Sequence, residues 1–101
     1  MGYQIALSPS ARQDLRDIVH YISLDAPERA IEFGQFLISS TRRLAEYPEM
    51  RRVVPELGDP LIREIVVRTY RVIYRIDWGA SRVDVVRFWH AARGKPVVTG
   101  G

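Results

Sequence analysis

Three prolines divide the first half of this 101-residue chain, and they restrict its fold more than any other feature. Pro9 follows Ser8, so a capping hydroxyl precedes a ring already bent to helical φ at the first helical position. Pro27 restarts a helix after the break "LDAPER", and Pro48 forces the residue before it out of helical geometry. Between these marks apolar residues recur every three or four positions. The first segment has Ala11, Leu15, Ile18, Val19 and Ile22; the second has Ala30, Phe33, Leu37 and Leu44. Both read as amphipathic helices, the second running to about Tyr47. The link between them is so short that they must lie as an antiparallel hairpin. A further row on the second helix, Ile31, Ile38 and Ala45, lies one step round from its inner stripe.

Outside the helices the apolar period changes to two. "YQIAL" (Tyr3 to Leu7) reads as a first strand. Three more are expected at about Ile62–Val67, Tyr70–Asp77 and Arg82–His90, after the loop "PEMRRVVPELGDP". The turn at Arg68-Thr69 lacks the Gly or Asn that a two-residue hairpin favours. The order is β-α-α-β-β-β, an α+β fold with the helical hairpin on one face of a small, mostly antiparallel sheet. One domain is expected over residues 1–101, with a structured core from about 3 to 93 and a loose tail from 94 to 101.

Composition removes several function classes. There is no cysteine, which excludes disulfides and thiolate metal sites, and His20 and His90 are isolated, so neither a metal nor another cofactor is expected. No apolar run approaches the roughly 20 residues of a membrane helix, and the N-terminus lacks the pattern of a secretory signal, so a soluble cytoplasmic protein is expected. Charge is unevenly placed: residues 1–50 hold five arginines against seven carboxylates, and residues 51–101 hold nine arginines and one lysine against five. Arginine forks suit bidentate contact with carboxylates or phosphates. A net charge of +3 fits a solvated surface or an acidic protein partner better than direct nucleic-acid binding.

Alternation in "YRVIYRID" sends Tyr70, Val72, Tyr74 and Ile76 to the helices and leaves Arg71, Ile73, Arg75 and Asp77 on the open face. In "RVDVVRFWH" neither alternate set is cleanly polar. If Val83, Val85 and Trp89 are core, His90 shares the open face with Arg71 or Arg75; a β-bulge inverts that assignment. An Arg beside a His can serve phosphoryl chemistry, the imidazole moving a proton and the guanidinium neutralising charge. A second proton-transfer group is missing from the vicinity, so a structural or partner-contact role is favoured for His90, and an ion-pair or partner-contact role for both arginines. Tyr70 and Tyr74 fall to the core, which leaves Phe88 and Trp78 as the only aromatics free to stack on bases.

The stretch "YPEMRRVVPELGDPLIREIVVRTYRVIYRI", followed by "VVRFWHAAR", resembles the ParE branch of the ParE/RelE toxin superfamily. So does the front, with helices opening "LSPSARQDLRDIVHYIS" and "APERAIEF". The resemblance implies a small cytoplasmic toxin, neutralised by a ParD-like antitoxin, that inhibits or poisons DNA gyrase without being an enzyme. It also carries an alternative, the ribosome-dependent mRNA endonuclease activity of the RelE branch. In that reading Arg71 and His90 are catalytic, and Glu56 or Glu64 completes the set. The basic set is incomplete here, since the single lysine, Lys95, lies in the tail. Arg51 and Ala91 stand where that family often has glycine. On this reading the partner-binding residues are Arg71, Arg75, His90 and Arg93, with Ile31 and Ile38 on the second helix. The sheet arginines would take the antitoxin's acidic side chains.

Overall fold

The computed structural model describes residues 2–98. Strand β1 (Gln4–Leu7) leads into α1 (Pro9–Ser23) and α2 (Pro27–Thr41), then β2 (Arg52–Val53), β3 (Ile62–Val67), β4 (Tyr70–Asp77) and β5 (Arg82–His90). The sheet order is β1-β5-β4-β3-β2. β1 runs parallel to β5, and every other pairing is antiparallel. The expected α+β arrangement is therefore present, with one addition. The two-residue β2 lies inside the segment read from sequence as a loop, because Arg52 and Val53 find pairing partners in Glu64 and Arg63.

The helix starts follow local rules. Ser8 Oγ accepts a hydrogen bond from the Ala11 amide at 3.1 Å and donates to the Val86 carbonyl, so the cap of α1 is also a tie to β5. Pro27 opens α2 without a side-chain cap. α2 is shorter than its pattern implies: the α-helix ends at Thr41 and continues as a 3-10 turn over Arg42–Ala45. Tyr47, at φ 53°, then reverses the chain into Pro48. The Tyr74 hydroxyl, deep in the core, donates to the Pro48 carbonyl at 2.6 Å and anchors that reversal, and burial pushes its phenol above the ordinary range. The helices approach closely where Gly34 faces Val19; a Cβ on Gly34 would lie 2.9 Å from Val19 Cγ2.

The Arg68 turn closes without glycine. Arg68 takes the left-handed conformation at φ 58°, at a cost of about 1 kcal/mol. Its guanidinium sits 4.8 Å from the Phe36 ring centroid, a cation–π contact across to α2.

The sheet has a core on each side. Ala11, Ile18, Leu37 and Leu44 from the helical half, with Leu44 on the 3-10 turn, pack on Val72, Tyr74, Ile76, Val83, Val85 and Phe88. On the other side Val54, Ile62, Ile73, Val86 and Trp89 form a second, smaller cluster. That face is therefore covered over Ile73 and Trp89, although Val66 on it stays 62% exposed, and the expectation of an open sheet face is corrected. The cover comes from the segment around Val54 and from residues 94–98. These last are not a loose tail: Pro96 is buried and Val98 packs on the second cluster. The Gly94 carbonyl accepts from Trp89 Nε1, and the Val97 carbonyl accepts from Arg87. Residues 99–101 of the expected tail lie outside the described residues.

A bulge decides which β5 side chain goes to which core. Ile73 pairs with Arg87 and Tyr74 with Val85, which leaves Val86 as the extra residue. Val83 and Val85 face the helices before the bulge, and Phe88 and His90 face them after it. Trp89 goes to the second cluster. The inversion that a bulge was expected to cause is present. It also removes Phe88 from the base-stacking candidates, since its ring is buried.

Candidate recognition surface

Arg71 is not a surface residue. Its side chain projects to the second face, across from Trp89, and only 8% of the residue is exposed. Nε donates to Glu64 Oε1 at 2.6 Å, and the two terminal nitrogens grip Glu56 Oε2 and Oε1 at 2.8 and 2.7 Å. The second Glu64 oxygen lies 2.9 Å from Arg52 Nε, in ion-pair range but off the line of a hydrogen bond. Two arginines and two glutamates thus neutralise one another, with the Glu64 side chain almost wholly buried. The hydrogen bonds from Arg71 hold the Glu56 carboxyl at about 2 against an ordinary 4.5. The same bonds, first to Glu56 and then to Glu64, raise the Arg71 guanidinium further into its charged form. Each Arg71 nitrogen is engaged, with three of its five N–H donors on carboxylates, and the bidentate grip on Glu56 pins the covering loop to the sheet.

His90 lies on the other side. Its ring meets Tyr70 edge-on at 5.1 Å, and its Nδ1 accepts from the Ala92 amide, capping a 3-10 turn over Ala91–Arg93. An accepting Nδ1 puts the neutral ring's proton on Nε2. The Ala91 amide donates to the Thr69 carbonyl, so this turn is also held to the β3–β4 hairpin. It delivers Arg93 to a position 4.0 Å over the Trp89 ring. Arg93 is exposed and makes no ion pair among the described residues.

The sequence placed Arg71 and His90 together on one open face only if no bulge intervened. With the bulge they are on opposite faces, and Glu56 and Glu64 go with Arg71 rather than with His90. Arg75 is half-buried opposite Asp84, whose carboxylate takes Arg82 at 2.6 Å instead. Ile31 and Ile38, whose spacing fitted either a wide core stripe or an exposed one, lie on the outer side of α2, 59% and 38% exposed.

One buried pair escaped the sequence reading. β1 covers β5 only as far as Val85, and α1 fills the vacated edge with Asp14. Its carboxylate accepts two bonds from Arg87 at 2.8 Å each and a third from the Phe88 amide at 3.0 Å. Nothing in a helix pattern marks Asp14 as a side chain that reaches a strand edge 74 residues away. Other features without a sequence signal are Tyr21 and Leu24, 77% and 73% exposed at the end of the hairpin. Between α1 and the end of β5 lies a cleft of about 520 Å³, floored by Ile18, Tyr70 and Phe88 and rimmed by Tyr21, His90 and Arg93. Among the described residues no helix is long and apolar enough to cross a membrane.

Comparison with known proteins agrees with the resemblance. Residues 5–94 match the family described as ParE toxin of type II toxin-antitoxin system, parDE. No curated protein matches the sequence. Among solved structures, a chain of the chromosomal ParDE toxin–antitoxin system from P. aeruginosa superposes with a TM-score of 0.72 at 19% identity, covering 87% of this chain and 95% of that one. A mutant of the E. coli toxin RelE in the free state gives 0.67 at 17% identity, over 93% of this chain and 88% of that one. A chain of the RelBE2 toxin–antitoxin complex from Mycobacterium tuberculosis gives 0.59 at 23% identity, over 89% of this chain and 99% of that one. At these identities the structures share the fold.

Two outcomes follow from the Arg71 network. Arg71→Glu leaves Glu56 and Glu64 facing a third carboxylate, and stability measured by urea unfolding should fall by about 3 kcal/mol or more. A variant as stable as the parent would return Arg71 to the surface residues. The acid limb is the second outcome. Because the folded carboxyl of Glu56 sits at about 2 and the ordinary value is 4.5, its contribution is complete above about 4.5 and is lost as pH falls through about 2. Glu56→Gln should therefore flatten the stability–pH curve over that window. An unchanged slope would mean that the Arg71–Glu56 pair contributes nothing in solution.

Proposed function

The chain belongs to the ParE toxin family of type II toxin–antitoxin systems, and from that membership we propose that it arrests growth by inhibiting or poisoning DNA gyrase in the cytoplasm. On this reading it acts by binding, not by catalysis, and a ParD-like antitoxin neutralises it. The observation that carries the binding reading is the state of Arg71. A nuclease of the RelE type needs a free guanidinium near a proton-transfer group. Here the guanidinium is bound to two glutamates, and His90 is on the opposite face with Nδ1 engaged by its own backbone. A phosphate approaching Arg71 would meet the Glu56 and Glu64 carboxylates first.

The test compares incorporation of labelled thymidine and labelled methionine in the first minutes after induction of the toxin alone. DNA synthesis should fall first. If protein synthesis falls first, the gyrase reading is wrong and the ribosome is the target.

For the antitoxin, the support is the exposed apolar pair on α2. Ile31 and Ile38 are seven residues apart, two turns along one side of the helix, which suits a partner helix laid along the hairpin. Ile31→Glu is expected to weaken antitoxin binding at least roughly tenfold, as the loss of a central apolar anchor does. Titration calorimetry with the antitoxin encoded beside the toxin measures this, and a Kd unchanged by the substitution would exclude Ile31 from the interface.

A further inference from the structure

Four surface hollows follow one another around the turn end of the helical hairpin, each sharing lining residues with the next. The first is the cleft beside His90 and Arg93. Tyr21 is its wall and also a wall of the second, which adds Leu24 and Asp25 and has a volume of about 350 Å³. Ala26 and Arg29 pass from the second to a third of about 460 Å³, beneath Pro27 and Glu28. Arg29 and Glu32 pass from the third to a fourth of about 400 Å³ on the other flank of α2, bounded by Phe33, Phe36 and Arg68. Each volume suits one or two side chains. The path bends around the end of two helices, which a rigid helical segment some 10 Å wide cannot follow. An extended chain can.

Charge along the path is uneven. Arg93 stands at one end, with Asp17 lining the same hollow, and Arg68 stands at the other; the two arginines stack on Trp89 and Phe36 respectively. Around the turn between them are Asp25, Glu28 and Glu32, with Arg29 the only cation among them. None of these seven residues forms an ion pair among the described residues. Tyr21 and Leu24 stand exposed beside them. Charges without partners on a surface with exposed apolar side chains fit a site completed by another chain.

We propose that this track holds an extended segment of the antitoxin, carrying an acidic residue toward each end, a basic residue at the hairpin turn and apolar side chains in the hollows. The proposal rests on the antitoxin reading above and adds a second contact region to it. The first lies on the side of α2 that carries Ile31 and Ile38. The second passes around the end of the hairpin. A partner that grips both holds the hairpin from two directions, and its extended part orders on binding. The free imidazole Nε2–H of His90 adds a donor at the Arg93 end.

The experiment titrates the antitoxin encoded beside the toxin into Tyr21→Ala, Arg93→Glu and Arg68→Glu variants. Ala80→Glu, an exposed change in the β4–β5 turn away from the hollows and from Ile31 and Ile38, is the control, and circular dichroism checks each fold. Each track variant is expected to bind roughly tenfold more weakly while the control is unchanged, and the two arginine variants should lose part of the salt dependence of binding. All three should still arrest growth when expressed alone and be neutralised less well on co-expression. Binding within about twofold of the parent in all three variants overturns the proposal. So does loss of growth arrest with full antitoxin affinity, which assigns the hollows to the target instead. If the parent itself binds no antitoxin, the antitoxin reading fails first, and the track with it.

Discussion

The extra residue in β5 sets the side to which every later group turns. One residue inserted at Val86 changes the parity of the strand. Before it Val83 and Val85 fill the helix-side core; after it Phe88 completes that core and Trp89 turns to the second face. Adjacent Phe88 and Trp89 fall on opposite faces in any register, and the bulge decides which of them enters which core. His90 follows Phe88 to the helix side, and the turn it caps carries Arg93 to the edge between the faces. Without the bulge, His90 would look toward Arg71. With it, the two lie on opposite sides of the sheet.

The second face shows how a small protein closes a sheet without further helices. Its apolar cluster is too small to cover the sheet alone, so ion pairs and a short strap complete the cover. Arg71 ties a strand to a loop through Glu56 and to the neighbouring strand through Glu64. Removing either partner leaves a charge in a place poor in water, which makes the network more costly to break than its net contribution would indicate. Residues 94–98 add hydrogen bonds from Trp89 and Arg87 and a packed Val98. The same groups that stabilise this face occupy the Arg71 guanidinium.

The helical hairpin carries much of the surface argued to meet a partner. Its inner stripe is consumed by the core, and Gly34 brings the two helices close enough that little apolar surface is left between them. What remains outside is uneven: Ile31, Phe36 and Ile38 on α2, two large side chains at the turn, and charges that form no ion pair among the described residues. A toxin of this family has to be held by its antitoxin, and a surface with unmatched groups of both signs favours a specific partner over indiscriminate sticking.

The periodicities determined much by themselves. Pro9, Pro27 and Pro48 with the spacing of Ala11, Ile18, Ala30 and Leu37 placed both helices, and the alternation of Tyr70 to Asp77 placed β4 and the side of it that meets them. These features are local, because each depends on backbone preference and on side chains a turn or two apart. The second stripe of Ile31 and Ile38 was legible for the same reason, but whether it met the core or solvent was not. Arg71 was assigned to the correct face, but that face was taken to be open. Its closure depends on Glu56, Val54 and Val98, which come from segments with no periodic signal. Asp14 at the β5 edge, the Val86 bulge and the sequence of hollows around the hairpin end were decided only by the tertiary structure. Each arises where residues distant in the chain meet, and a contact of that kind leaves no mark on either segment alone.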